Sequence, residues 1–267
     1  MQAKPLENSM SARDTQAAGR SPGRWGSAVA AMRPRDIVLA VLLLGSVWGM
    51  AEVVLGGTIK QAGLPHRVAI VAGLGMGIMG IGLGAFRRVY MLPLIALVAV
   101  CVKQLVVPIL HVPLLCKANS CLAVLIEGGA LAGLVAAAGS RLTGRDSSPD
   151  VGRGVGKGQW LTAAVVAGGA ALLASGAFHT AGMRAAPCDH LLSYNRALGL
   201  LTYVTTRGSF WAVSSAVFFP LGYVLGLRLE DSVAATRRGR PALYYLATAL
   251  CVAACWGASA VAISVGL

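Results

Sequence analysis

Long apolar runs without charge recur along the whole chain, and each is close to the roughly 20 residues needed to cross a bilayer. Seven such segments cover residues 36–57, 67–86, 89–110, 120–140, 160–182, 208–229 and 241–263. Stretches such as Ile37–Leu44 and Leu122–Ile126 are continuously apolar and do not alternate, which argues against a transmembrane barrel. The pattern predicts an all-α fold, a polytopic transmembrane helical bundle of six to seven spans.

The composition agrees with this pattern. Only 12% of the 267 residues are charged, whereas ordinary soluble proteins have about a quarter. The mean hydropathy of the chain is +0.70. Because the seven segments use more than half of the chain, no second sizeable soluble domain is expected.

The polar segments divide the chain into four parts. Residues 1–35 are polar and basic and are predicted to be a disordered cytosolic tail. Residues 36–140 form a four-span block, the Gly- and Ser-rich stretch 141–159 is a cytosolic linker, and residues 160–267 form a three-span block. The first apolar segment starts too late and is too long for a cleaved signal peptide, so we expect it to be an uncleaved span.

The basic residues predict the orientation of the bundle. Cytoplasmic loops of membrane proteins carry an excess of Lys and Arg. With the N-terminus in the cytosol, sixteen of the 23 Lys and Arg fall inside and six outside, and Lys103 lies within a span. This distribution accounts for the net charge of +13 without a nucleic-acid partner. A multi-pass protein of the cell membrane is therefore expected.

Three spans contain an ionisable residue away from their ends: Glu52, Lys103 and Glu127. On insertion scales, each costs about 2.5–3.5 kcal/mol at mid-bilayer, so such residues usually face a cavity or a partner. In the predicted orientation all three lie roughly 7–11 Å below the outer rim, at 1.5 Å per residue. They are predicted to form one cluster, either a ligand site open to the outside or an ion-paired staple between three helices.

Three further residues are candidates for contact with a ligand. Trp48 lies one turn before Glu52 on the same helix face, where it suits a flat or cationic ligand or serves as an interfacial anchor. His66 lies in the loop Gln61–Arg67, whose Gly and Pro predict a sharp turn near the mouth of the cluster. His111 lies at the outer end of its span.

All four histidines and three cysteines, Cys116, Cys121 and Cys188, fall on the predicted outer side. Imidazole and thiolate are common ligands of transition metals. The spacing of Cys116 and Cys121 is looser than CxxC, and a disulfide in an oxidising compartment is the alternative. The pattern does not decide whether a metal binds, and no cofactor is predicted.

Small residues recur at helical spacing in the spans. Gly45 and Gly49 form one such pair, and the second and fourth spans carry longer series, Gly73–Gly84 and Gly129–Ala137. Such spacings allow helices to approach closely. They are predicted to serve internal packing, with some of them available to dock another membrane subunit.

The stretch 48–57 (WGMAEVVLGG), with Pro65 and Arg67, Lys103 and then Ile126–Gly128, resembles the membrane-embedded substrate-binding subunits of energy-coupling-factor transporters. The resemblance covers roughly residues 36–140. It implies a compact bundle, typically of six spans, that captures a vitamin or similar small molecule near the outer face. It also implies two kinds of partner, a second membrane subunit and cytosolic ATPases.

If the resemblance holds, Trp48, Glu52, Lys103 and Glu127 contact the substrate. Two features depart from the family: a seventh span is predicted, and the Gly45–Gly49 spacing continues to Val53 instead of a small residue.

These observations favour an integral membrane substrate-binding subunit of a small-molecule importer, for a vitamin-like molecule or a metal. The alternative is a membrane scaffold or assembly protein, or an accessory subunit of an enzyme, without transport activity. No HExxH or GxSxG motif occurs, so the chain is not expected to be an enzyme. Self-contained secondary transport also stays open, and it would give uptake without an ATPase.

Overall fold

The structure, a computed structural model, describes residues 33–64, 66–113, 118–143, 156–185, 189–195 and 198–266. Of these residues 89% are helical and none is in a strand, which confirms the predicted all-α fold. From Arg33 onward they form one compact unit. The prediction for the N-terminal tail concerns residues that, up to Met32, lie outside the described part of the chain.

The long helices are numbered with the short ones in chain order. They are α1 (Pro34–Gln61), α2 (Arg67–Phe86), α3 (Met91–Lys103), α4 (Val106–Leu110), α5 (Ala118–Ala138), α6 (Ser140–Thr143), α7 (Lys157–Ala185), α8 (Asp189–Leu192), α9 (Gly199–Tyr203), α10 (Ser209–Gly239) and α11 (Pro241–Ser264). A π-helical turn, Val204–Gly208, joins α9 to α10.

Seven helical segments of the described chain are long and apolar enough to cross a membrane, as the hydropathy pattern predicts. Five are the single helices α1, α2, α5, α7 and α11, one combines α3 with α4, and one runs without a break from α9 through α10. The last of these, Gly199–Gly239, begins before and ends after the predicted span 208–229. The apolar stretch just before residue 208 therefore belongs to the sixth span.

Six long helices form a ring. Each packs against its two neighbours in the order α1, α3, α5, α7, α10, α2 and back to α1. Successive spans alternate in direction, so the ends fall into two groups. The end at which α1 begins is called the proximal end, and the end at which α1 finishes, near Gly63 and His66, is the distal end. Gly63 adopts a left-handed φ of 65°, which makes the predicted turn after α1.

The seventh span, α11, lies outside this ring and packs mainly against α1. Trp256 Nε1 donates a hydrogen bond of 2.9 Å to Ser46 Oγ on α1. At the proximal end, Asp36 accepts hydrogen bonds from Tyr245 Oη at 2.8 Å and Arg237 Nη1 at 3.0 Å. The Asp36 carboxylate, which is almost fully buried, thereby joins α1, α10 and α11.

The closest helix contact in the ring is between α2 and α10. A Cβ atom added to Gly80 would meet the Phe219 carbonyl of α10, and one added to Gly222 would meet the Gly77 carbonyl of α2. The two backbones therefore touch along a seam of glycines from both helices. The small-residue spacing predicted in the second span is used for internal packing.

The other glycine pairs differ in their surroundings. Gly45 and Gly49 lie against Val98 and Val102 of α3, so they too serve internal packing. Gly129 and Gly133 of α5 have no atom near the position of an added Cβ. The two glycines of the small-residue series predicted in the fourth span, Gly129–Ala137, therefore face outward from the bundle.

Tyr223, in the middle of α10, joins this helix to α6 and to the first turn of α7. Its Oη donates a 2.6 Å hydrogen bond to the Leu142 carbonyl and accepts one of 2.9 Å from Gln159 Nε2. The side chain of Tyr223 is fully buried, as is Leu142. This hydrogen-bond pair ties α10 to both ends of the predicted linker, of which residues 144–155 lie outside the described chain.

Candidate functional site

A break in the third span positions Lys103. Pro108 lacks a backbone N–H, and its ring would clash with the carbonyl four residues earlier, that of Gln104, in a continuous helix. The α-helix ends at Lys103 and resumes as α4 at Val106. Lys103 therefore occupies the last turn of α3, in the distal half of the bundle.

The ammonium of Lys103 joins three helices. Its Nζ lies 2.7 Å from Glu52 Oε2 on α1 and also donates a short hydrogen bond to Ser120 Oγ on α5. The side chains of Lys103 and Glu52 are only 9% and 14% exposed. Two members of the predicted cluster, Glu52 and Lys103, are therefore in contact within the bundle.

Trp48 supports the carboxylate of Glu52. Its Nε1 donates a hydrogen bond of 3.3 Å to Glu52 Oε1, one turn away on α1. The indole is completely buried and lies against Gly75 of α2, where a Cβ atom would collide with the ring. The Trp48 side chain therefore lies in the interior of the bundle and does not act as an anchor at the membrane surface.

Glu127 lies on α5, seven residues after Ser120 and therefore two turns away on the same helix face. It is only 3% exposed, and it interacts electrostatically with both Glu52 and Lys103. Its Oε1 has no hydrogen-bond partner among the described residues. A buried carboxylate oxygen without a partner is costly, since the water it has lost is not replaced.

Two further acceptor oxygens near the distal ends of α3 and α5 share this property. Gln104 Oε1 and Asn119 Oδ1 are buried without a hydrogen-bond partner in the described part of the chain. Gln104 Nε2 donates to Cys121 Sγ at 3.2 Å, which holds the amide at the α3–α5 contact. Three buried acceptors, including Glu127 Oε1, are therefore available for a donor or a cation.

Comparison of this chain with known protein families, with characterised proteins and with solved structures gives no match. The function is therefore argued from the bundle itself, and the resemblance of residues 36–140 to the transporter subunits stays a prediction.

His66 lies apart from the contacts just described. Its ring stacks on Phe210 of α10, with ring centroids 3.7 Å apart. Both rings line a cavity of about 350 Å³ at the distal end, together with Arg67, Tyr203 and Arg207. His111 is exposed and ends α4 in a left-handed conformation, with a φ of 52°.

Among the described residues, no group of three or more His, Cys, Asp or Glu side chains is arranged to hold a metal ion. The described part of the chain does not include Cys116, Cys188 or the side chain of His190. The choice between a metal site and a disulfide therefore stays open. His179, in contrast, is buried at 8% exposure beside Tyr203, with ring centroids 5.2 Å apart. Its Nε2 has no hydrogen-bond partner in the described chain.

Several residues of the distal half were not identified from the sequence. Ser120 carries a detectable signal, because it lies seven residues before Glu127 and so shares its helix face. Gln104 follows Lys103, and the preference of Pro108 for a helix break marks that position. The sequence places His179 on the outer side but gives no signal of its contact with Tyr203, since that contact depends on how α7 packs against the α9–α10 junction.

Proposed function

We propose that this protein is the membrane-embedded substrate-binding subunit of a small-molecule importer, with its site between α1, α3 and α5. The observation that carries the proposal is the Oε1 atom of Glu127, a buried acceptor without a partner beside the Lys103–Glu52 ion pair. In transmembrane segments, such ionisable groups commonly mark substrate pathways.

The chemistry of the site favours a ligand that donates hydrogen bonds or carries positive charge. Glu52 and Glu127 bring two carboxylates against one ammonium, so the formal charge of the three is negative when all are ionised. Glu127 Oε1 is an acceptor, and Gln104, the residue after Lys103, carries a second buried acceptor, Oε1. The buried indole of Trp48 supplies a flat apolar wall, suited to an aromatic or cationic group.

The distal end would face the outside in this function, in agreement with the predicted excess of basic residues on the cytosolic side. The resemblance to energy-coupling-factor subunits adds the expected partners, a second membrane subunit and cytosolic ATPases. The outward-facing Gly129 and Gly133 on α5 leave room for a helix of such a subunit at the bundle surface.

Native mass spectrometry of the gently purified protein tests the binding site. We expect a small molecule or metal to be retained by the wild type and lost from Glu127→Gln and Glu52→Gln. Glu230→Gln is the matched control, because its carboxylate pairs with Arg87 at the opposite end of the bundle. A wild type that is empty after growth in rich medium, with variants that are only less stable, would instead identify an ion-paired staple.

A second measurement separates the importer subunit from the scaffold alternative. Substitutions at Gly45 or Gly49 do not distinguish them, because both glycines pack against α3 inside the bundle. Gly129→Leu and Gly133→Leu are better probes, since they change only an outward surface.

Uptake of the ligand that requires co-expressed ATPases supports the importer subunit, whereas uptake without them identifies a self-contained transporter.

A further inference from the structure

The cavity at the distal end lies between the N-terminus of α2 and the junction of α9 with α10. Its polar and aromatic lining consists of His66, Arg67, Tyr203, Arg207, Phe210 and Trp211. A volume of about 350 Å³ lies within the range of small-molecule sites, about 300–1,000 Å³. None of the residues that line it is acidic.

Arg67 and Arg207 give this cavity its positive charge. Within the described chain, neither Arg67 nor Arg207 forms an ion pair with a carboxylate. Arg207 Nε donates to Tyr194 Oη at 3.3 Å, and this hydrogen bond keeps the pKa of the Tyr194 phenol below its usual value. Two arginines, each with several N–H donors, therefore line the same cavity, and both are exposed.

The backbone around the cavity is irregular on both sides. His66 adopts a left-handed φ of 57°, which is uncommon for residues other than glycine and concentrates at ligand sites. On the opposite side the chain forms the π-helical turn Val204–Gly208, a feature frequent at functional sites. The turn places Arg207 at the cavity and packs Gly208 against Ser175 of α7.

The aromatic rings supply apolar surface to the cavity. Tyr203 and Trp211 are 2% and 6% exposed, and both contact Phe178. His66 and Phe210 stack at the rim. The cavity thus combines the exposed arginines Arg67 and Arg207 with the buried rings of Tyr203 and Trp211. Such a combination suits a ligand in which an anionic group is attached to an apolar or aromatic body.

We propose that this distal cavity binds a carboxylate or phosphate group through Arg67 and Arg207, with the apolar part of the ligand against Tyr203, Phe210 and Trp211. This site goes beyond the proposed function, since it uses none of the residues Glu52, Lys103 and Glu127. The same chemistry fits two sources, a soluble organic anion and the head group of an anionic lipid.

Two probes distinguish these sources. Benzoate is titrated calorimetrically into the protein in phosphatidylcholine nanodiscs, and retained phosphatidylglycerol is counted by native mass spectrometry from mixed nanodiscs. The variants are Arg67→Gln and Arg207→Gln, and the matched control is Arg184→Gln, an exposed arginine in the last turn of α7 at the same end. Melting temperatures without probe establish that the variants are folded.

We expect saturable binding of at least one probe by the wild type and by Arg184→Gln. Each cavity variant should weaken it about tenfold or more, as expected for the loss of a charge-assisted hydrogen bond. Binding of benzoate assigns the cavity to a soluble anion, and binding of phosphatidylglycerol alone assigns it to a lipid head group. Phe210→Leu should weaken benzoate more than phosphatidylglycerol.

The proposal is overturned if neither probe binds the wild type, or if folded Arg67→Gln and Arg207→Gln bind both probes as well as Arg184→Gln. Since Glu127→Gln leaves the distal cavity intact, it should not change either titration. Failure of the anion site is thereby distinguished from failure of the interior site.

Discussion

Lys103 Nζ lies 2.7 Å from Glu52 Oε2, and this contact joins α3 to α1 within the interior of the bundle. The same ammonium bonds Ser120 on α5 and interacts electrostatically with Glu127. The single ammonium group of Lys103 therefore links three helices and interacts with two carboxylates. Its removal should affect the stability of the bundle differently from the removal of either carboxylate.

Lys103→Met is expected to destabilise the bundle more than Glu52→Gln. Loss of the ammonium leaves two buried carboxylates without a cation, and breaking a buried ion pair in this way costs about 3–5 kcal/mol. Glu52→Gln leaves Lys103 near Glu127, so its effect should be smaller. Thermal unfolding in nanodiscs measures both, and the Lys103→Met/Glu52→Gln double variant should lose less than the sum. Equal and additive losses would contradict this account.

The glycine seam between α2 and α10 should not accept larger side chains. Gly80→Leu or Gly222→Leu forces the two backbones apart, because the added atoms would overlap carbonyl groups of the facing helix. We expect more than about 3 kcal/mol of destabilisation, or failure to fold. Gly129→Leu is the matched control and should change stability by less than about 0.5 kcal/mol. Size-exclusion profiles and melting temperatures give both results.

The Asp36 carboxylate should control the attachment of α11. Asp36→Asn removes the charge that Arg237 and Tyr245 share, at a cost of roughly 1.5–3 kcal/mol for hydrogen bonds to a charged group. Cys255 is the reporter, since it is 7% exposed on α11. With the other cysteines replaced by alanine, a maleimide should label Cys255 faster in Asp36→Asn than in the parent protein.

The control for this experiment is Arg238→Gln, which changes the neighbouring exposed arginine whose Nε bonds only the Ala234 carbonyl among the described contacts. Its labelling rate should match that of the parent. Equal rates in all three proteins would show that the Asp36 contacts are not needed to hold α11, and that its contacts with α1, which include the Trp256–Ser46 hydrogen bond, are sufficient.

Tyr223→Phe should weaken the attachment of α10 to α6 and α7. The variant leaves the buried Leu142 carbonyl and Gln159 without their partner, and an unsatisfied buried group costs about 1–3 kcal/mol. Gln159→Ala should cost less, because Tyr223 would still donate to Leu142. Tyr90→Phe, at an exposed tyrosine, is the control and should stay within about 0.5 kcal/mol. A melting temperature unchanged in Tyr223→Phe would refute the assigned role.

The sequence predicts the spans well because each one depends on its own local composition. Depth along a helix is also local, since it follows from counting residues at a fixed rise. For this reason Glu52 and Lys103 could be placed together before any helix packing was known. The same counting could not show that Trp48 is buried against Gly75, because rotation about the helix axis depends on the neighbouring helices.

Features that depend on the order of the ring escaped prediction. The glycines of α2 indicate close packing, but they do not identify α10 as the partner. The cavity at Arg67 and Arg207 arises from the same pairing, since it lies where α2 begins and α10 is entered. The π-helical turn before Ser209 is a property of helix geometry that hydropathy does not encode, so the predicted span begins only at residue 208.

The α2–α10 seam also has a consequence for biosynthesis. These helices are the second and sixth candidate spans of the chain, so α2 enters the membrane well before its principal partner exists. At about 5–20 residues per second, the delay between Gly77 and Gly222 is on the order of ten seconds. During that interval the glycine face of α2 has only lipid or a foreign helix to contact. The ring of six helices can be completed only after the sixth span has been translated, because α10 contacts both α7 and α2.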